Sequence, residues 1–472
     1  MKVFLSTFLS TILLGFFVVA IFPSQIKIFI SESIYPLIYD LPLLSQELNL
    51  FKDVAVKQQR KHEGLVHYFI DNFTDYSIDF YDLPFPSYDQ WRSKPSAYVE
   101  QTDNKIIIAS GSASFLYIDK ENIDSKKVVF TPIESNIRQV ISDDKFYRSG
   151  SVSIKDLKVI ENFLYLSYTK KVSNNCYNVS VLRSKVNFNR LEFEEVFSPN
   201  ECVDHKYKKQ SGGRIFQYKE GKLLLSVGAM ANNQEAQKID SVFGKIISFT
   251  PMSNKYQVLS MGHRNPQGLY YDHTRDVIIN TEHQALGGDE INVNIVPDSK
   301  DIKNYGWPIS SYSVHYSRKL VEGEPLHKSH SDFGFIEPSK YFTPALGISQ
   351  IIKAPMELGL NDSIDYLVSS MGHGVSEGGD MSLHHIRFDS EYTNLIVADI
   401  IPIGERIRDL ELLKNSNKIL LILESIPAFA ILSKKNYSCD KSKIPCNNDK
   451  KYIKISDDQQ NVFRESYERL LP

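Results

Sequence analysis

A two-strand unit recurs six times between Tyr98 and Ile422, and that recurrence limits the possible folds more than any other feature of the 472 residues. Each unit is a short apolar run, a polar turn carrying Asn, Asp, Lys or Gly, and a second, stronger apolar run. Tyr98-Val99 precedes Lys105–Ile108, Leu157–Val159 precedes Phe163–Leu166, and Arg214–Phe216 precedes Lys222–Ser226. Gly268–Tyr270 with Val277–Ile279, Ile348–Ile351 with Tyr366–Ser369, and Ile407–Leu410 with Lys418–Ile422 complete the series. The units follow at roughly 55 to 60 residues, stretched to about 80 before the fifth, where Ser310 to Phe342 reads as an insertion. Further apolar pieces, Phe115–Ile118, Tyr177–Leu182, Ile246–Phe249 and Leu383–Ile386, suit outer strands. A β-sandwich fits units this long and regular poorly. The expectation is an all-β protein, a six-bladed β-propeller over residues 96–435.

The flanks read differently. Val3 to Phe22 is an uncharged apolar run behind a single Lys2, long enough to cross a bilayer as a helix. Ile21-Phe22-Pro23-Ser24-Gln25 lacks a small-x-small cleavage site, so a transmembrane signal-anchor within residues 1–30 is preferred to a removed signal peptide. Either would export the chain, to the periplasmic or extracellular side, and the first would tether it to the membrane. Residues 31–95 read as a stalk and cover, and 436–472 as a polar tail. Cys176 and Cys202 flank one strand pair, while Cys439 and Cys446 lie close together in the tail. Two local disulfides are the simplest pairing in an oxidising compartment. No C-x-x-C spacing suggests zinc. A net charge of −3 carries no basic excess that would point to nucleic acid.

The densest polar segment runs from Gly262 to Pro308. Gly262-His263-Arg264-Asn265-Pro266-Gln267-Gly268 leads into one short strand, and a second rises to Thr281-Glu282-His283. Gly287-Gly288-Asp289-Glu290 with Asn292 follows, and Asn304-Tyr305-Gly306-Trp307-Pro308 closes the segment. These three pieces, in this order and spacing, resemble the soluble quinoprotein glucose/sorbosone dehydrogenases, also called aldose sugar dehydrogenases. The likeness extends from about Ser151 to about Lys435. It implies a propeller that binds pyrroloquinoline quinone (PQQ) and calcium at one end of its axis, with a small sugar as substrate.

The resemblance also implies roles for particular residues. Arg264 and Asn265 fall on cofactor-contacting positions, and Arg406-Ile407-Arg408-Asp409 matches a second cofactor signature, R-x-R-D. Arginine suits a flat, tricarboxylated quinone because its planar fork pairs with carboxylates and stacks on rings. A salt-bridged pair is the plainer reading of Arg406 and Arg408. Calcium would sit on backbone carbonyls at Gln284 and Ala285, where the family usually carries Gly-Pro. Asp289 and Glu290 are either pocket residues or structural ones, capping a turn or pairing with Arg264. Arg214 is a further pocket candidate.

Three departures bear on activity. The family's base is a histidine four residues before the arginine of an H-x-G-G-R motif; here the run is Gln210-Ser211-Gly212-Gly213-Arg214, with Gln210 at the base position. Ala229 replaces an acidic residue expected to orient that base, and Gly372 stands where a lysine usually meets the cofactor. Loss of a positioned base typically costs about 10²- to 10⁴-fold in rate. Among the histidines, His373 is the first candidate for a substitute, ahead of His205, His263 and His283. Two functions therefore stand side by side: a PQQ- and calcium-dependent oxidation of an aldose at the anomeric carbon, with Gln210 and Arg264 at the catalytic positions, or a degenerate propeller that binds a sugar, glycan or protein.

Overall fold

The structure is a computed structural model that describes residues 75–85, 96–124, 128–143, 146–147, 153–204, 210–285, 287–295, 297–313, 329–355, 363–372, 381–424 and 427–435. Each of the six sequence units supplies the first two strands of one sheet, paired antiparallel. The innermost strands are Ala97–Gln101, Ile154–Ile160, Gly212–Gln217, Pro266–Asp272, Ile348–Lys353 and Ile407–Leu412. Each touches the next, and the last touches the first, so they close a ring around an axis. The four apolar pieces expected as outer strands are third strands of the first, second, third and fifth sheets. The fold is a six-bladed β-propeller.

Why these residues form blades follows from what each sheet must cover. Along the second strand of the first blade, Lys105–Ser110, Ile106 and Ile108 pack toward the sixth blade while Ile107 and Ala109 pack toward the second. The second strand of the sixth blade, Ile419–Leu423, divides in the same way between the fifth and first blades. Successive side chains of a strand point to opposite faces, so a sheet covered on both sides must be apolar at every position. Full burial of each such side chain contributes about 1.5–3 kcal/mol. Comparable clusters fill the junctions between the third and fourth and the fourth and fifth blades.

The ring is closed by both ends of the described chain. Tyr76–Asp82 pairs antiparallel with Ala428–Lys434, in register from Tyr76 opposite Lys434 to Asp82 opposite Ala428. The sequence reading began the propeller at residue 96; this pairing adds a strand from the segment read as a stalk and cover. That strand carries Tyr76 and Ile78 on a buried face, too little alternation to stand out among the aromatic residues and prolines around it.

The expected insertion is in part a return path. Lys303–Asn304 runs parallel to the edge strand Tyr256–Met261 of the third blade, and Lys340–Phe342 comes back as the edge of the fourth. Cys176 and Cys202 form a disulfide, with Cα atoms 5.3 Å apart, beside the pairing of Val203–Asp204 with Tyr177 and Cys176. Cys439, Cys446 and the apolar stretch 3–22 lie outside the described residues. Among the described residues no helix is long and apolar enough to cross a membrane.

Candidate active site

Five of the six innermost strands break register near their first residues, between Ile154 and Asp156, Gly212 and Ile215, Pro266 and Gly268, Ile348 and Ile351, and Ile407 and Asp409. Bulges of this kind re-aim side chains and are frequent beside binding sites. Here Gln267 and Arg408, from two such bulges, meet directly, with Arg408 Nη1 donating to Gln267 Oε1 at 2.8 Å. Sequence spacing does not reveal them.

Arg214 lies at the centre of this end and holds it together. Its guanidinium donates to Asp156 Oδ1 at 2.8 Å and Asp409 Oδ1 at 2.7 Å, to the Gln267 carbonyl at 2.6 Å and to the Arg408 carbonyl at 3.0 Å. It also sits 5.3 Å from the Tyr98 ring centre. The other oxygens of the two carboxylates take the backbone N–H groups of Ile215 and Val99. Burial pushes the Asp409 carboxyl up to about 6, and Arg214 opposes the rise. Burial also acts against the Arg214 charge, but Asp409 and Asp156 outweigh it and raise its pKa. Arg214, a pocket candidate from sequence, is thus committed to tying the inner strands.

The GHRN turn is held by Glu282, which sequence reasoning passed over. One Glu282 oxygen accepts the backbone N–H groups of Arg264 and Asn265, and the other meets His263 Nδ1 at 2.9 Å. His263 stacks on Tyr305 and bonds Ser260. The Asn265 side-chain oxygen accepts Gly212 N–H at 3.2 Å and Gln267 Nε2–H at 2.9 Å, joining the motif to the Gln210–Arg214 turn. The Ala229 N–H donates to the Arg264 carbonyl at 2.8 Å, and Met230 N–H to that of Gln210 at 2.9 Å. Gln210, Ala229, Arg264 and Asn265, separated in sequence, therefore form one contiguous assembly. A Cβ at Gly228 would lie 2.1 Å from the Gln210 carbonyl oxygen, so only glycine admits this approach. The Gln210 side-chain carbonyl and the Ser211 hydroxyl are buried there without a hydrogen-bond partner among the described residues. Such groups are costly unless a ligand or solvent meets them.

Arg406 and Arg408 converge on another residue not foreseen, Glu424. Arg408 Nε donates to Glu424 Oε1 at 2.5 Å and Arg406 Nη2 to Oε2 at 3.3 Å. Ser96 Oγ donates to the same carboxylate. Burial would raise the Glu424 pKa, but Arg408 and then Arg406 hold it below the usual value. Arg406 also donates to the carbonyls of Met371 and Gly372, both at 2.8 Å, and Arg408 to Gln267 Oε1 at 2.8 Å. The two arginines face one end together, as the signature implies, and both are salt-bridged. A visible signal was the lone carboxylate closing the apolar run Ile419–Leu423. His373 lies outside the described residues.

The calcium expectation meets a competitor. Arg264 Nη1 donates to the carbonyls of His283 at 2.7 Å and Gln284 at 2.6 Å, bridging them as a cation would. Asp289 accepts the N–H groups of Gln284 and Ile348, which makes it a backbone cap. Glu290 faces His330 at 3.4 Å rather than Arg264, and burial raises its pKa while His330 opposes. Ala285 is buried beside them. As arranged, the Gln284 carbonyl offers calcium only its second lone pair, beside the positive charge of Arg264.

Comparison with known proteins agrees with this architecture. Residues 159–426, more than half of the chain, match the family described as Glucose / Sorbosone dehydrogenase. The aldose sugar dehydrogenase YliI of Escherichia coli is 31% identical over 151 residues, 29% of this chain and 38% of that protein. The chain spans half or less of the length of the sequence relatives it matches. The apo-form crystal structure of the soluble Escherichia coli aldose sugar dehydrogenase superposes with a TM-score of 0.58 at 16% identity, covering 76% of this chain and 99% of that one. The PQQ-bound aldose sugar dehydrogenase of Streptomyces coelicolor gives 0.51 at 18% identity, over 76% and 98%. At such identities the structural likeness speaks to the fold.

Proposed function

The chain belongs to the glucose/sorbosone dehydrogenase family, and we propose that it oxidises an aldose sugar at the anomeric carbon, using PQQ bound at the bulged end of the ring. The observation that carries this is the charge balance there. Arg406 and Arg408 converge on one carboxylate, Glu424, an arginine pair suited to a planar tricarboxylate. When bound, the quinone supplies the hydride acceptor. Arg406 and Arg408 would bind its carboxylates in exchange for part of their pairing with Glu424. The orphaned Gln210 and Ser211 oxygens offer hydrogen bonds to a ligand beside Arg264. The Gln210 amide can orient a sugar hydroxyl but has no basic site to take its proton. If calcium binds, the Gln284 and Ala285 carbonyls would hold it, beside Arg264. Export is part of it, supported by the Cys176–Cys202 disulfide and the apolar stretch from Val3 to Phe22.

A second reading, a propeller that binds its ligand without turnover, is favoured by Gln210 and Ala229 at the positions of the base and its orienting acid. Titration of PQQ into the full-length protein, followed by cofactor absorbance and thermal stability, tests both. Saturable binding is expected, with stabilisation of about 2.7 kcal/mol at a hundredfold excess over Kd. A dye-coupled screen of aldoses then separates turnover from binding alone. No binding at high micromolar cofactor overturns the dehydrogenase reading.

A further inference from the structure

Past the bulge at Ile154 and Asp156, Lys158 lines a cavity of about 270 Å³ to which five of the six innermost strands contribute. Phe216, Tyr270, Gln350, Lys353 and Glu411 line it as well, with Lys414 just after the last of these strands. Neither Gln210 nor the arginine pair on Glu424 reaches it. Phe216 and Tyr270 form one wall, their ring centres 5.0 Å apart and tilted by 57°. Leu269, Ile352 and Leu412 extend the apolar surface.

The charges deepest in the cavity are matched. Lys158 lies 2.7 Å from Glu100 and 3.6 Å from Glu411, and Glu411 also accepts the Gln101 side-chain amide at 2.9 Å. Hydrogen-bond donors are left over. The Gln350 side-chain oxygen accepts the N–H groups of Ile351 at 3.1 Å and Leu269 at 3.4 Å, which leaves its Nε2 donor to the cavity. The Tyr270 hydroxyl has no hydrogen-bond partner among the described residues, and burial pushes its pKa up to about 12, so it stays a protonated donor. Two exposed lysines stand at the mouth. Lys353 has no carboxylate partner among the described residues, and Lys414 has only the exposed Asp103, at 3.7 Å.

We propose that this cavity is a second binding site, for a small organic carboxylate with an apolar body. Surplus donors and cations over aromatic and aliphatic walls call for an acceptor-rich anion at one end of the ligand and hydrocarbon at the other. The carboxylate meets Lys353 and Lys414 at the mouth and the Tyr270 hydroxyl and Gln350 amide within, while the body lies on Phe216, Leu269 and Leu412. A cationic ligand is disfavoured, because Glu411 is already held by Lys158 and Gln101. Pockets for drug-sized ligands span about 300–1,000 Å³, so this one admits a single ring or a short chain. The site stands or falls independently of sugar oxidation.

Benzoate is the probe, and benzylamine, of the same shape and opposite charge, is the control. Each is titrated into the full-length protein and followed by saturation-transfer NMR and calorimetry. Benzoate should bind saturably, about tenfold or more tightly than benzylamine. The double variant Lys353→Gln, Lys414→Gln changes only exposed side chains, so it should keep its melting temperature and weaken benzoate about tenfold. Tyr270→Phe should weaken it about threefold. PQQ should not displace it. Displacement by PQQ, or a loss of affinity in Arg408→Gln with none in the lysine pair, would move benzoate to the other end of the ring and overturn this site. Equal binding of benzylamine overturns the carboxylate assignment. Absence of saturable binding at millimolar benzoate overturns the site outright and leaves the cavity to water.

Discussion

Lys155 and Lys158 stand three residues apart on one strand, yet the two ends of the ring treat them in opposite ways. Lys158 pairs with Glu100 at 2.7 Å and lies 3.6 Å from Glu411. Burial acts against its charge, but those carboxylates outweigh it and raise the lysine pKa. At Lys155 burial and the positive charge of Arg408 outweigh the opposing Glu424, and its pKa falls. Burial acts against both charges; carboxylates overturn it at Lys158, while Arg408 adds to it at Lys155. The Lys158 end holds a cavity of about 270 Å³, walled by Phe216, Tyr270, Gln350 and Glu411, with its charges matched. The other end gathers Arg406 and Arg408 on Glu424, with the Gln210 and Ser211 oxygens buried without partners among the described residues. One end matches its charges internally, and the other holds the groups on which the proposed cofactor site rests.

Between the two ends Arg214 carries the largest expected effect. Arg214→Met would leave Asp156 and Asp409 buried without their cation, a loss of about 3–5 kcal/mol measurable by urea unfolding. A change under about 1 kcal/mol would mean that the inner strands are held by something else. The paired lysines come next. Lys158→Met, which strands Glu100 and Glu411, should destabilise by about 2 kcal/mol, less than a fully buried pair because Lys158 is partly exposed.

Lys155→Met should do the reverse, and its effect should depend on pH. The native pKa of about 7 lies below the unfolded value, so between pH 7 and the unfolded pKa the unfolded chain binds a proton that the native state does not. The wild-type contribution of this group is therefore least favourable below pH 7 and rises with pH. Lys155→Met should be most stabilising below pH 7 and lose that advantage by about pH 10. Urea titrations at four pH values would show it, and a pH-independent difference would break the contrast with Lys158.

Smaller effects test the proposed cofactor end. Gln210→His should raise kcat by about tenfold, restoring a base to the third blade without the carboxylate missing at Ala229. No gain would place the pocket's proton path elsewhere. Smallest of all, chelation by EDTA should leave the PQQ affinity within about twofold, because the Gln284 carbonyl is served by Arg264. Strong calcium dependence in the same titration would show that Arg264 gives way.

Much of this was legible from residue order. The six units predicted the first two strands of all six blades, since strand periodicity is a local consequence of burial on both faces. The GHRN, GGDE and NYGWP runs carried the family resemblance, and Arg406 and Arg408 converge on Glu424. What escaped were partners from distant blades. Glu282 and Glu424 are single carboxylates in apolar strands, with nothing nearby in sequence to name the groups they hold. Asp289 and Glu290 are adjacent, yet one caps backbone and the other meets His330, a choice that depends on which strand lies alongside.

The sequence by itself determined the fold class, the blade count, the family and the departure at Gln210, because each rests on short-range pattern or on consecutive residues. Only the tertiary structure decided that Tyr76–Asp82 closes the sixth blade, that Arg214 ties the inner strands, and that Glu424 gathers Arg406 and Arg408. Those outcomes depend on strand register and on bulges, where one extra residue turns a side chain toward a different neighbour. A charge acquires its pKa from such neighbours, and they come from blades far apart in the chain.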